Sequence, residues 1–279
     1  MIKREEIVSK LQAYCEQKGG QIKAAQSIKG VSAATVSQMI NGNWEKISDS
    51  MWLRVERGID GGVKSWNMAE TTLYQEIFEL LTGAQEESRV MCVTAPAGSG
   101  KTFATKQYEK ENRDVYRLTC NEFWSKNDFV DELLRSMGEK AAGRTKTERL
   151  AMACDILRRK ENPLLIFDEW DKLSDTVWQF FVTLYNNLED ICGIVMFSTD
   201  YVEKRIMQGL RNQRKGYAEI WSRLGSKCIR LSRADYEDVR AVCMANGVDD
   251  EAKIEDIARG AEGDLRRVRQ LVFASMRMR

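Results

Sequence analysis

Histidine is absent from this chain of 279 residues. Without an imidazole the chain has no histidine general base, no Ser-His-Asp triad and no histidine metal site. Seven cysteines occur, but no two of them form a Cys-x-x-Cys pair. That scatter argues against structural zinc and disulfides, and it favours a reducing, cytoplasmic location.

Long apolar runs and an N-terminal signal segment are also lacking, so we expect no membrane association. The formal net charge is only +1, and any contact with nucleic acid must therefore come from local basic patches. Hydrophobic residues make up 43% of the chain, which is enough for a substantial core. The length predicts two domains and a small third one.

The strongest motif is a phosphate-binding loop placed between an apolar strand pattern and a helical one. It reads Ala95-Pro96-Ala97-Gly98-Ser99-Gly100-Lys101-Thr102. We expect the seven residues from Ala97 to Phe103 to contact the nucleotide. Glycines let the backbone curl and point N–H groups at phosphate oxygens. Lys101 is expected to reach the β- and γ-phosphates, and the Thr102 hydroxyl to bind Mg²⁺.

Two adjacent acids, Asp168 and Glu169, follow the apolar run 164–167. Such a run suits a strand buried on both faces. We expect Asp168 to bind Mg²⁺ directly or through water, and Glu169 to orient and deprotonate an attacking water. The alternative is an ordinary buried strand that ends in a solvated acidic turn.

Three further candidates lie later in the chain. Ser198 or Thr199, after the next apolar run, could position the water, or this segment could simply cap the helix that begins near Tyr201. Arg223 could reach a neighbouring subunit's γ-phosphate and Arg266 the nucleotide of its own subunit, because the planar guanidinium suits phosphate. Both arginines could equally form ordinary surface salt bridges.

Three segments differ in their patterns. Residues 1–65 predict short helices, with a hinge at Gly61-Gly62. Residues 66–230 alternate strand and helix, which predicts a parallel α/β sheet covered on both faces. Residues 231–279 predict a helical lid. Within the middle segment we expect one helix over 127–137 capped by Asn127, and another from Thr147 to Lys160 capped by Thr147.

These motifs together resemble the AAA+ ATPase superfamily over roughly residues 68–279. The resemblance implies a sheet in the order 5-1-4-3-2, ATP and Mg²⁺ as cofactors, and a ring or helical oligomer with ATP at its subunit interfaces. It also implies that Arg223 is the arginine finger and that Arg266 is the second sensor arginine.

Residues 21–42 resemble the helix-turn-helix of phage repressors, in which Ser32, Thr35 and Gln38 could face a DNA groove. Gln26 departs from the pattern, because a small residue is expected there. The alternative is a helical packing module without a DNA role.

A helix-turn-helix joined to a small AAA+ module resembles the Mu B family of phage transposition proteins. That resemblance implies ATP-dependent filaments on double-stranded DNA with little sequence preference, and delivery of target DNA to a transposase that stimulates hydrolysis. Rival interpretations are a helicase loader or replication initiator, an ATP-switched sequence-specific transcriptional regulator and a metabolic P-loop kinase.

Sequence-neutral binding requires cations on phosphates rather than base contacts. The candidate cations are Lys126, Arg144 and Lys146, each in or beside a predicted loop. The run 211–215 is a further basic cluster that could serve a subunit interface instead. Trp124 could stack on a base, although we expect it to pack in the core.

Overall fold

The computed structural model describes residues 4–28, 30–45, 47–59, 66–140 and 143–277. They form two compact units, Met1–Asn67 and Met68–Arg279. The predicted lid belongs to the second unit, and the predicted boundaries at 65/66 and 230/231 stay predictions. In the described ranges, no helix combines the length and the apolar character that crossing a membrane requires.

The described residues of the first unit form four helices around one core. They are α1 (Arg4–Lys18), α2 (Gln21–Ser27), α3 (Ala33–Ile40) and α4 (Asp49–Ile59). Their apolar faces meet at Leu11, Val36, Met39 and Trp52, which are all fully buried. Because these side chains recur at helical spacing, each short helix is stabilised mainly by burial against the others.

The second unit is centred on a parallel sheet of five strands. They are β1 (Val90–Thr94), β2 (Val115–Thr119), β3 (Leu164–Asp168), β4 (Gly193–Ser198) and β5 (Cys228–Arg230). Their order across the sheet is β2-β3-β4-β1-β5, with every pair parallel. The predicted order is confirmed, and it brings the carboxyl ends of β1, β3 and β4 to one edge.

Helices cover both faces of this sheet. On one face lie α5 (Thr72–Glu86) and α6 (Lys101–Glu111); on the other lie α7 (Lys126–Ser136), α8 (Lys146–Arg158), α9 (Asp175–Leu188), α10 (Tyr201–Arg211) and α11 (Tyr217–Arg223). Side chains alternate along a strand, so Leu165 and Phe167 of β3 face one helical layer while Leu164 and Ile166 face the other.

Two predicted helix starts are wrong by a few residues. Helix α7 is capped by Ser125 rather than Asn127, and α8 by Thr145 rather than Thr147. Each of these caps has an acid three residues later whose carboxylate bonds back to the cap's N–H. This reciprocal capping box satisfies two backbone donors, which a single side-chain cap cannot do.

The C-terminal helices are α12 (Tyr236–Ala245), α13 (Glu251–Ala261) and α14 (Leu265–Arg277). Two long-range hydrogen bonds join them to the sheet layer. The Leu265 N–H donates to the Gly98 carbonyl at 2.9 Å, and the Thr72 N–H donates to the Asp238 carboxylate at 2.6 Å. The start of α14 therefore lies directly on the phosphate-binding loop.

Candidate nucleotide site

The loop between β1 and α6 has the backbone that phosphate binding requires. Gly98 and Gly100 have φ angles of 78° and 96°, in the left-handed region that favours glycine. Gly100 also serves as the N-cap of α6 without a side-chain hydrogen bond, so the first N–H groups of that helix stay available to an anion. The Ser99 hydroxyl is buried, and the structure gives it no hydrogen-bond partner. These features fit a nucleotide phosphate.

The Lys101 ammonium lies inside this loop. Its Nζ donates to the carbonyls of Ala95 at 2.6 Å and Pro96 at 2.8 Å. Burial lowers the pKa of Lys101, the negative charge of Asp168 opposes that shift, and the positive charge of Arg266 adds to it. Lys101 therefore lies at the loop under the influence of an acid of the sheet edge and an arginine of the lid, and its contact with the β- and γ-phosphates stays a prediction.

Asp168 ends β3 as a buried carboxylate, with only 1% of its surface exposed. It has a partner that the sequence reasoning missed: Arg117 of β2 donates from Nη1 to Asp168 Oδ2 at 3.3 Å, and its Nε lies 3.5 Å from a carboxylate oxygen of Glu109. An arginine inside an otherwise apolar strand was the available signal, because such a cation needs a nearby acid.

The oxygen donors at this edge fit Mg²⁺. Thr102 supplies a half-buried hydroxyl on the second residue of α6, and Asp168 supplies the carboxylate. Magnesium in nucleotide sites takes one or two carboxylates and otherwise phosphates and water. The pair would therefore hold the ion against the nucleotide, with Arg117 fixing the orientation of Asp168.

Glu169 occupies a strained backbone position. Its φ of 58° and ψ of 39° lie in the left-handed region, where a non-glycine residue costs roughly 1–3 kcal/mol. Its carboxylate accepts a hydrogen bond from Lys172 Nζ at 2.8 Å. The carboxylate is exposed and paired with Lys172, and its role as the base stays a prediction.

The polar end of β4 meets an acid that the sequence reasoning did not single out. Ser198 Oγ donates to Asp171 Oδ1 at 2.6 Å, and Thr199 Oγ1 donates to Asp171 Oδ2 at 3.3 Å. Neither hydroxyl caps α10, whose N-cap is Asp200 without a side-chain hydrogen bond. The N-cap therefore lies in this segment, as the alternative expected, but neither hydroxyl supplies it. Asp171 orients both hydroxyls, and the water-positioning role of Thr199 stays a prediction.

Arg266 lies in the first turn of α14, beside the loop. Asp264 caps this helix, accepting from the N–H groups of Arg266 at 2.8 Å and Arg267 at 3.3 Å. The same carboxylate packs on Gly98: a Cβ built there would lie 2.0 Å from Asp264 Oδ1. Gly98 thus permits both the loop turn and the approach of the lid.

Arg223 is the last residue of α11. Its guanidinium donates to Asn186 Oδ1 at 2.9 and 3.2 Å and lies 5.4 Å from the ring centroid of Tyr185. Both of these partners are on α9, and Arg223 Nη1 also donates to the Glu219 carbonyl of its own helix at 3.1 Å. None of the three is a predicted catalytic residue. That placement is compatible with a role toward a second copy.

The predicted DNA contacts fall into two groups. Lys126 begins α7, while Arg144 and Lys146 are exposed at the start of α8. Trp124 packs against the core, as expected. The exposed aromatic of that loop is instead Phe123, with 84% of its surface accessible.

In the first unit, Ser32 caps α3: its Oγ accepts from the Thr35 N–H at 3.1 Å and shares a hydrogen bond with Thr35 Oγ1 at 2.9 Å. Gln38 is exposed on the same helix. Ala24 and Ala25 fill the core of α2, whereas Gln26 points to solvent. Of the three predicted groove residues, Ser32 therefore uses its hydroxyl for capping, Thr35 bonds to that hydroxyl, and Gln38 is exposed.

Comparison with known proteins gives a family for the central part of the chain. Residues 84–206 match the family described as AAA domain. They run from the end of α5 through the phosphate-binding loop, the acid pair and Thr199 into α10. The chain therefore contains an AAA domain, and the predicted fold class is confirmed.

Two relatives match over more than that domain. The chain is 26% identical over 262 residues to the Mu-like prophage FluMu DNA transposition protein B of Haemophilus influenzae, covering 87% of this chain and 86% of the relative. It is 25% identical to the ATP-dependent target DNA activator B of Escherichia phage Mu, covering 81% of this chain and 73% of that protein. The predicted resemblance to phage transposition B proteins is confirmed.

Among solved structures, the Aeropyrum pernix ORC1 protein in complex with DNA shares the fold. The TM-score is 0.52 at 16% sequence identity, and the match covers 74% of this chain and 60% of that one. At this identity the likeness supports the AAA-type architecture alone.

Proposed function

We propose that this chain is an AAA+ ATPase that binds double-stranded DNA in an ATP-dependent manner and with little sequence preference. In this proposal it assembles on DNA as a helical or ring oligomer and delivers target DNA to a transposase. DNA and the transposase stimulate its hydrolysis of ATP to ADP and phosphate.

The observation that carries the proposal is the extent of the similarity to the B proteins. The matched share of the chain exceeds residues 68–279 alone, so it includes part of residues 1–67 as well as the AAA domain. A shared nucleotide fold by itself would not require a match in the helical unit. The likeness to ORC1 does not favour a replication initiator, because it rests on fold.

ATP with Mg²⁺ would supply a γ-phosphate open to in-line attack by water. Of this chain's residues, the loop Ala97–Phe103 would bind the phosphates, and Lys101 would exchange its two carbonyl partners for phosphate oxygens. Thr102 and Asp168 would hold the metal. Glu169 would accept the proton of the water that Thr199 orients, and Arg266 would contact the phosphates from the lid.

The placement of Arg223 supports the oligomer in this proposal. Its side-chain partners, Asn186 and Tyr185, are on α9 of the same chain, and its Nη1 also donates to the Glu219 carbonyl at 3.1 Å. A guanidinium in that position would complete the nucleotide site of an adjacent copy, where such a residue contributes about 10³–10⁵ in rate. ATP would then stabilise the contact between subunits, and hydrolysis would weaken it.

DNA contact is assigned to two surfaces. Lys126, Arg144 and Lys146 would pair with phosphates, and the exposed Phe123 beside Lys126 would pack against the duplex. The near-neutral net charge is no obstacle, because an oligomer repeats a modest patch many times along one duplex. In the helical unit, Gln38 would contribute a weak contact.

A competition experiment tests the proposal against its rivals. Fluorescence anisotropy would compare the affinity for several unrelated duplexes, with ATP, with a non-hydrolysable analogue and without nucleotide. We expect affinities that agree within about threefold between sequences and that require the triphosphate. A palindromic operator bound about a thousandfold more tightly would favour the transcriptional regulator. Preference for an origin sequence, or copurification with a replicative helicase, would favour the replication rival.

A further inference from the structure

Arg205 on α10 is a half-buried cation that lies outside the nucleotide-contacting residues and has several fixed partners. Its Nη1 donates to the carbonyls of Asp171 at 2.9 Å and Leu173 at 2.8 Å, and its Nη2 donates to the Asp175 carboxylate. The guanidinium carbon lies 4.0 Å from the ring centroid of Trp178. A guanidinium with this many fixed partners holds those partners in one arrangement.

Asp175, the first residue of α9, also contacts residues beyond Arg205. Its Oδ1 accepts from the Tyr217 hydroxyl at 2.8 Å, and its Oδ2 lies 3.4 Å from Arg214. Burial tends to raise the pKa of Asp175, but the hydrogen bonds from Arg205 and Tyr217 outweigh it and leave the pKa lowered. The carboxylate therefore stays ionised between its donors. We call Asp171, Asp175, Trp178, Arg205 and Tyr217 the Arg205 cluster.

One end of the Arg205 cluster is at the catalytic edge. Asp171 accepts from Ser198 and Thr199 with its carboxylate, while its main-chain carbonyl accepts from Arg205. Asp171 therefore joins the two groups, with its side chain on Thr199 and its main chain on Arg205.

The other end is the helix that carries Arg223. Tyr217 is the first residue of α11, and Arg223 is the last. The Tyr217 ring packs so closely on α10 that a Cβ at Gly209 would lie 2.2 Å from a ring carbon. Because α11 has only seven residues, the fixed position of Tyr217 also fixes the direction in which Arg223 leaves the helix.

We propose that Arg205 is a positioning residue for Arg223: through Asp175 and Tyr217 it links the Asp171–Thr199 contact of one subunit's site to the arginine that the same subunit offers to its neighbour. The proposal rests on the proposed function, since it requires Arg223 to act in another subunit. It adds that the nucleotide site of one subunit determines how well the Arg223 of that subunit is placed for the nucleotide site of the next subunit.

Two catalytically defective chains separate the two sides of one interface. A Glu169→Gln chain binds ATP and offers Arg223 but does not hydrolyse. An Arg223→Ala chain can hydrolyse but offers no arginine. Mixed on DNA, they should show ATPase activity at sites where the second chain is completed by the first. Arg205→Lys is then introduced into either the donor chain (Glu169→Gln) or the acceptor chain (Arg223→Ala).

We expect Arg205→Lys in the donor to lower the kcat of the mixture by roughly tenfold to a hundredfold with KM unchanged. A displacement of a catalytic group by about 1 Å has an effect of that size. In the acceptor it should cost no more than about threefold. Lysine keeps the charge but cannot bond two carbonyls and a carboxylate in one plane. Tyr217→Phe, which keeps the ring packing and removes one hydrogen bond, should give a smaller loss with the same asymmetry.

Arg149→Lys is the matched control. Arg149 is as buried as Arg205, with side chains 15% and 16% exposed, and it too pairs with an aspartate, Asp131. Among the described residues, Arg149 bonds only to Asp131 and Asn127, so its pair joins α8 to α7. In the donor it should leave the mixture's kcat unchanged, and thermal unfolding of both variants shows how much of any loss reflects stability alone.

The outcomes are distinguishable. A loss confined to the donor side supports the positioning role. An equal or larger loss on the acceptor side, no loss at all, or a loss matched by Arg149→Lys overturns it and leaves the proposed function standing. If the unmodified mixture is inactive, Arg223 does not act between subunits, and both the positioning role and that part of the proposed function fail. Should Arg205→Lys not fold, Tyr217→Phe decides by the same criteria.

Discussion

Residues 68–279 and residues 1–67 use their polar side chains differently. In the larger unit the polar residues of the motifs converge on one sheet edge, where Lys101, Asp168 and Thr199 hold defined partners near the phosphate-binding loop. In the smaller unit, Ser32 and Thr35 bond each other at a helix start. The contrast teaches that a polar side chain at the start of a short helix can be engaged in capping that helix. A predicted ligand contact is better supported where the backbone conformation also suits the ligand.

The largest expected effect tests the catalytic side of this contrast. Glu169→Gln should lower ATP hydrolysis by about 10²–10⁴-fold, because the amide cannot accept the proton of water. ATP binding should persist, and protein–DNA filaments should outlast those of the unchanged protein. Phosphate release and electron microscopy would measure the two effects. Glu132→Gln, at a half-buried site on α7 that pairs with Arg135, is the control. A Glu169→Gln protein that binds neither ATP nor DNA would show that the assigned role is wrong.

Lys101→Ala should have the next largest effect. Removing the ammonium should weaken ATP binding by about tenfold to a hundredfold, the size of a hydrogen bond to a charged group. ATP-dependent DNA binding should fall with it. Titration with a fluorescent ATP analogue measures the first, and Lys106→Ala, an exposed lysine of the same helix, is the control. An affinity within threefold of the unchanged protein would contradict the assignment.

Phe123→Ala tests whether the larger unit also contains the main DNA contact. Losing this exposed ring should weaken DNA binding by roughly tenfold, comparable with aromatic packing contacts to nucleic acid. Nucleotide affinity should not change. Tyr201→Ala removes another exposed aromatic, 57% accessible, and should leave DNA binding intact. Equal effects of the two substitutions would remove Phe123 from the interface.

A pair of glycine substitutions tests the approach of the lid to the loop. Gly98→Ala and Gly100→Ala both place a Cβ at positive φ, but only at Gly98 does it meet Asp264, whereas at Gly100 the nearest atom is Leu265 Cδ1 at 3.4 Å. Displacing Asp264 removes the cap of α14, so Gly98→Ala should cost about 1 kcal/mol more stability than Gly100→Ala. Thermal unfolding without nucleotide measures the difference, and equal losses would mean that the lid does not rest on Gly98.

The smallest expected effects concern the helical unit. Gln38→Ala should weaken DNA binding by about twofold to fivefold without loss of stability, as expected for one exposed contact. Ser32→Ala should lower the stability of this unit by about 0.5–2 kcal/mol through loss of the cap. If Gln38→Ala and deletion of residues 1–67 both leave DNA affinity unchanged, the helical unit does not bind DNA directly. The DNA contacts would then belong to residues 68–279 alone.

The sequence was sufficient where chemistry depends on neighbours in the chain. The loop from Ala97 to Phe103, the acid pair and the strand order followed from local patterns and from the resemblance. Helix starts at Asn127 and Thr147 were wrong because a cap is chosen by reciprocal bonding with a residue three positions on, and Ser125 and Thr145 have that acid.

The contacts that were missed are long-range. Arg117 and Asp168 are 51 residues apart, and Arg205 is 34 residues from the Asp171 carbonyl it binds. Such pairings depend on strand register and helix packing, which single-sequence periodicity does not specify. A charged residue within an apolar pattern was the only local signal of such a contact, and it does not identify the partner residue.

Electron microscopy of the protein mixed with random-sequence duplex tests the central claim most directly. With a non-hydrolysable ATP analogue we expect regular protein-coated DNA, and without nucleotide or with Lys101→Ala we expect bare duplex. Protein that stays monomeric and leaves the duplex uncoated under every nucleotide condition would contradict the claim that ATP between subunits drives assembly on DNA.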